Sequence, residues 1–153
     1  VKKYPTAVLV IAGDGPDKEY YQSLISVFRL ERNVFLDPWH NDLFSFYPSF
    51  DLLVMPSYIE GWGRAAIEAM ASGLGIVMTD VGVAGEIIRD GINGRVIPVA
   101  YQSALADAIS DCCGHPEIRI KFAKAAQATA FDLHPSTKEE YLAQWKKSFN
   151  CSV

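Results

Sequence analysis

A chain of 153 residues, half of them hydrophobic, is long enough to bury a substantial core, and its length predicts one domain. The formal net charge is −4 and the basic residues are scattered, so nucleic acid is not an expected partner, while the apolar content excludes a disordered chain. Three cysteines, two of them adjacent, make neither a disulfide framework nor a C-x-x-C metal pattern. No apolar run approaches the roughly 20 residues of a membrane helix and no leader is read at the start, so the expectation is a cytoplasmic protein with no transmembrane segment.

Ala7 to Ala12 is a continuous apolar run that reads as a strand covered on both faces. Gly13-Asp14-Gly15-Pro16 is a sharp turn, and Asp17 is positioned to cap a helix bearing Tyr20, Leu24, Val27 and Phe28 at helical spacing. Val34 to Leu36 is a brief strand, Pro38-Trp39-His40 a loop, and Leu43 to Tyr47 a short helix. Leu52 to Met55 is a buried strand ended by Pro56 and Ser57; Gly61 and Gly63 permit a tight turn into a helix from Arg64 to Ala71, which Gly73 ends. Gly75 to Thr79 is a further buried strand, followed by a glycine-rich loop over 81–85 and a short helix over 86–89. Asn93-Gly94 suits positive φ angles, and Arg95 to Val99 is the last strand. Ser103 is placed to cap a helix to about Cys113, Pro116 starts another to about Phe131, and Ser136 with Glu139 forms a capping box for a final helix through Lys147. Strands alternating with helices predict an α/β protein with a doubly wound, Rossmann-like parallel sheet of about five strands and helices on both faces. Ligands of such sheets sit outside the carboxyl ends of the strands, where the loops at 13–16, 37–40, 57–63 and 80–85 fall.

The most informative stretch is the strand, loop and helix over residues 51–73. The open N-terminus of its helix presents unpaired N–H groups and a partial positive charge that suit a phosphate. Glu60 stands just before that helix, and Glu68, on its second turn, leans back toward the same end. Carboxylates accept the paired hydroxyls of sugars and riboses, so amides for phosphate between two acids make a nucleotide-sugar site. Each acid also has a plainer reading: Glu60 as a charge favourable to the helix start, and Glu68 as a partner of Arg64 one turn back.

Glu60 and Glu68, with seven residues between them in P-S-Y-I-E-G-W-G-R-A-A-I-E-A-M-A-S-G, resemble the E-x7-E motif of retaining glycosyltransferases of the GT-B fold. The segments A-G-D-G-P at 12–16, D-L-L-V-M-P-S at 51–57, T-D-V-G at 79–82 and E-I-I-R-D-G-I-N-G at 86–94 match the same donor-binding domain in the same order. The resemblance implies that Glu60 is the catalytic-site acid, orienting the donor sugar without acting as nucleophile. It implies that the backbone of Gly61, Trp62 and Gly63 meets sugar and phosphate and that Glu68 takes the ribose hydroxyls. Trp62 stands where Phe is usual and would wall the sugar pocket. Arg64, where an aliphatic residue is usual, either reaches the phosphates or lies in solvent. Pro38 and Trp39 occupy the loop beside the base; Trp39 either stacks on the base or plugs the core. V-G-V-A-G-E over 81–86 departs from the family's glycine-glycine-x-proline pattern, which puts the acceptor-side contacts there in doubt. Glu60, Glu68 and Glu86 are not read as a metal site, because this family generally works without one, and no cofactor is expected beyond the nucleotide-diphosphate sugar.

The resemblance also implies absences: a first strand and loop carrying an Arg and a Lys for the diphosphate, and the acceptor-binding domain. The chain is thus expected to be a fragment, inactive alone, whose parent transfers a sugar to a hydroxyl acceptor; peripheral membrane association of that parent stays open. Two alternatives remain: a nucleotide-sugar epimerase of the same fold, and a non-catalytic nucleotide-binding or assembly domain.

Overall fold

The computed structural model describes residues 3–38 and 42–133, apart from the side chain of Phe44. The expected Ser136–Glu139 capping box and final helix lie outside the described residues, as do Trp39 and His40. The chain divides into two compact units, Val1–Phe46 and Tyr47–Val153.

In the first unit, strands β1 (Leu9–Ala12) and β2 (Val34–Asp37) run parallel, Leu9 beside Val34 and Ala12 beside Asp37. Parallel neighbours need a crossover, and helix α1 (Lys18–Val27) supplies it. The Asn33 side-chain amide donates to the carbonyls of Pro5 and Ala7 at 2.9 and 2.8 Å, tying the lead-in to the start of β2. Arg29 ends α1 with φ +55°: its N–H reaches the Ser26 carbonyl at 3.1 Å, and that of Leu30 reaches Ile25 at 2.9 Å. This is the Schellman pattern, with arginine where glycine is usual. Asp42 accepts the Ser45 N–H at 3.1 Å at the start of helix α2 (Leu43–Phe46).

Two expectations fail in this unit. The run from Ala7 is not covered on both faces: Val8 is 61% and Leu9 48% exposed, because one two-stranded ladder with a ten-residue helix cannot supply two covering layers. Asp17 takes the N-cap position of α1 but its side chain makes no capping bond.

The second unit opens with a 3₁₀ turn over Tyr47–Ser49 and holds three parallel strands, β3 (Leu52–Met55), β4 (Gly75–Thr79) and β5 (Arg95–Ile97), in the order β3-β4-β5. Helix α3 (Arg64–Ala71) connects β3 to β4, and α4 (Gln102–Gly114) and α5 (Pro116–Leu133) follow β5. A parallel strand with neighbours on both edges and helices over its faces favours apolar residues; every residue of β4 is buried, and its one polar side chain, Thr79, is hydrogen-bonded. Val77 and Ile97 pack with Ala108, Cys112 and Phe122; Ala66, Ala69 and Met70 of α3 are fully buried as well. The Gln127 amide donates to the last carbonyl of α3, that of Ala71, at 3.2 Å. The parallel α/β architecture expected from the sequence is present.

Local chemistry differs from expectation between β4 and α4. Residues 86–89 are not a helix: 86–87 are a turn and Ile88 bridges to Ala84, while the Ile87 and Ile88 N–H groups both reach the Val83 carbonyl, at 3.0 and 3.1 Å. The positive φ falls on Gly91 (+71°) and not on Asn93-Gly94. Asn93 is instead 1% exposed, and Gly94 is small because a Cβ there would lie 2.8 Å from Ile88 Cγ2 and 3.0 Å from the Ile76 carbonyl. Tyr101, not Ser103, takes the N-cap of α4, without a side-chain bond, and Ser103 sits within the first turn.

Candidate functional site

The carboxyl ends of β3 and β4 open into loops 56–63 and 80–85. The chain leaves β3 through Pro56 and Ser57, exposes Tyr58 (72%) and Ile59 (87%), and brings Glu60 back to a half-buried position. Ser57 donates its hydroxyl to Glu60 Oε1 at 2.8 Å. Gly63 is the N-cap of α3, with φ +85° and ψ +48°, a conformation in which a side chain is strained. A glycine brings no capping side chain, so that end of α3 keeps its capacity for an outside acceptor, except that the Ala66 N–H already reaches the Gly63 carbonyl at 2.9 Å. The macrodipole at this end favours an anion.

Glu68 lies on the second turn with its side chain 22% exposed, and Arg64 Nη2 is 3.4 Å from its Oε1. The Arg64 side chain is 86% exposed, so this pair holds Glu68 weakly in water. A buried neighbour is Tyr47, whose hydroxyl lies 3.4 Å from the Ala65 carbonyl. Burial, then the nearby Glu68 charge and a hydrogen bond to it, push the Tyr47 hydroxyl pKa up to about 12. Trp62 is 55% exposed, and its carbonyl accepts the Val83 N–H at 3.1 Å, joining the two loops. Thr79, 3% exposed at the end of β4, donates to the Ser57 carbonyl at 2.6 Å and lies 3.3 Å from that of Met55.

Glu60, Gly61, Trp62, Gly63, Arg64 and Glu68 thus lie on one continuous turn and helix start in the second unit. Pro38 is exposed after β2 in the first unit, and Trp39 lies outside the described residues. Also in the first unit, the 13–16 loop lines a cavity of about 210 Å³ with Lys18 and Tyr21. Among the described residues no group of three or more His, Cys, Asp or Glu side chains could hold a metal ion. Sequence reasoning missed Tyr47, Ser57 and Thr79 as supports of the acids. Ser57 carried a signal, since Ser-x-x-Glu is the spacing of a capping box, here closing a loop instead of a helix.

Comparison with known proteins bears on family and fold. The family described as Glycosyl transferases group 1 matches residues 1–129. D-inositol 3-phosphate glycosyltransferase of Mycobacterium tuberculosis is 31% identical over 95% of this chain, and the chain spans about a third (32%) of that relative's length. A mutant of S. aureus TarM, solved with Fondaparinux, alpha-GlcNAc-glycerol and UDP, superposes with a TM-score of 0.84 at 29% identity, over 98% of this chain and 30% of its own. HepE of Anabaena, solved with UDP-glucose, gives a TM-score of 0.74 at 27% identity, over 82% of this chain and 36% of its own. The architecture is therefore that of the Rossmann-like domain of GT-B glycosyltransferases.

Proposed function

Because this chain belongs to the family Glycosyl transferases group 1, we propose that the protein carrying it moves a sugar from a nucleotide-diphosphate donor to a hydroxyl acceptor with retention at the anomeric carbon. We read the donor as a UDP-sugar, since UDP and UDP-glucose are what the similar solved proteins hold. The observation that carries the reading is the placement of two half-buried acids on either side of an αL glycine that starts α3.

In this reading the first N–H groups of α3 and the exposed Arg64 take the diphosphate, whose negative charge grows as the glycosidic C–O bond breaks; fixed dipoles aimed at that charge lower the barrier. Glu68 takes ribose hydroxyls and Glu60 takes hydroxyls of the transferred sugar, holding it in line with the leaving group. Trp62 walls the sugar, with Gly61 beside it. No metal is assigned a part. This chain alone is read as a donor module without its own acceptor site.

The test is donor turnover in the complete protein. Glu60→Ala is expected to lower kcat at least roughly a hundredfold while leaving UDP affinity nearly intact, and Glu68→Ala to weaken UDP binding roughly tenfold. Unchanged turnover in both variants removes the transferase reading of this site.

A further inference from the structure

Ser57 sits where the ends of β3 and β4 meet the loop that carries Glu60. Its carbonyl accepts the hydroxyl of Thr79 at 2.6 Å, and Thr79 is 3% exposed at the end of the fully buried β4. Its own hydroxyl, with one proton to give, donates to Glu60 Oε1 at 2.8 Å. Among the described residues Glu60 Oε2 has no hydrogen-bond partner. The stem of Glu60 has a close neighbour too: a Cβ built on Gly82 would lie 3.0 Å from the Glu60 Cβ. A glutamate between two exposed residues, Ile59 and Gly61, would otherwise sample several rotamers and lose that freedom on binding.

We propose that Ser57 is a positioning residue for Glu60: anchored by Thr79, its hydroxyl fixes one carboxylate oxygen so that the other faces a donor sugar already oriented. The inference rests on the reading of Glu60 as the sugar-contacting acid. It goes further by assigning the aim of that acid to a hydroxyl on β3's exit loop. Ser57 touches no substrate in this account and acts only through Glu60, so its loss alters turnover more than nucleotide affinity.

The experiment compares Ser57→Ala, Ser57→Thr and Glu60→Ala in the complete protein, with UDP-glucose as donor probe, UDP as binding probe and thermal midpoint as a check on folding. Ser57→Ala is expected to lower kcat roughly tenfold and to leave the UDP Kd within about twofold, with Ser57→Thr recovering most of the loss because it keeps the hydroxyl. If Glu60→Ala loses turnover while Ser57→Ala does not, the positioning role is wrong and the transferase reading stands. If Ser57→Ala weakens UDP binding and the thermal midpoint as much as kcat, and Ser57→Thr does not recover, Ser57 is structural and the inference is overturned. If Glu60→Ala keeps full turnover, or the wild-type protein neither turns over UDP-glucose nor binds UDP, both readings fall.

Discussion

Gly82 passes Glu60 so closely that a β-carbon on it would lie 3.0 Å from the Glu60 Cβ and 3.0 Å from the carbonyl oxygen of Trp62. Its φ of +58° is itself one that side chains resist. Gly82→Ala therefore has two costs: about 1–2 kcal/mol of backbone strain, and a displaced Glu60 stem. Chemical denaturation should show the first, and a fall in kcat with UDP affinity retained should show the second. An alanine variant with wild-type stability and turnover contradicts the close approach.

Asn93 holds the turn between β4 and β5 together from inside. Its side-chain oxygen accepts the Arg89 N–H at 2.7 Å, and its amide donates to the Ile87 carbonyl at 2.9 Å and to the Thr129 hydroxyl of α5 at 3.1 Å. Removing a buried partner leaves the other groups desolvated, so Asn93→Ala is expected to cost about 3 kcal/mol in urea unfolding. Asn93→Asp keeps the acceptor but loses both donors and should be comparably destabilising. A loss below about 1 kcal/mol in either variant is incompatible with this network.

Tyr47 makes the second unit sensitive to alkali. Its hydroxyl titrates near 12 in the folded chain against 10.0 as the ordinary value, chiefly through burial and then through Glu68. Above pH 10 the unfolded chain therefore releases a proton that the folded chain keeps. The tyrosine's stabilising contribution is complete below about pH 10 and is lost as pH rises toward about 12, by up to roughly 2 kcal/mol. Tyr47→Phe should flatten that part of the stability–pH profile, at a cost of about 1 kcal/mol near neutrality from the lost hydrogen bond. An unchanged alkaline slope in the variant assigns the sensitivity to another group.

Elements set by composition over many residues were readable in advance. The apolar runs at 52–55 and 75–79, the helix-forming stretch from Arg64 and the start at Pro116 all appear with boundaries within a residue or two. Failures came where one side chain decides between local options. The turn preference of Asn-Gly points to positive φ at Asn93-Gly94, yet the burial of Asn93 against Thr129, 36 residues later, is a tertiary fact with no local trace. Residue type alone points to Ser103 as the cap, while the chain places Tyr101 there. The acids at 60 and 68 are legible as a pair, and Ser57 carries a local signal in its Ser-x-x-Glu spacing, but Thr79 and Tyr47 are not legible as supports, because their partners lie 22 and 18 residues away. The exposure of Leu9 and Val8 shows that apolarity reports a preference for cover, not its presence in the unit.

β4 is hydrogen-bonded along both edges and buried at every residue, whereas β3 and β5 each carry partly exposed positions. Amide protons of such a strand exchange with solvent only when the whole unit comes apart, while neighbouring loops open far more often. Thr79 ends that strand and is bonded to the exit of β3. Through Ser57 and Thr79 the acid at 60 is thus moored to the end of the strand expected to open most slowly in the second unit.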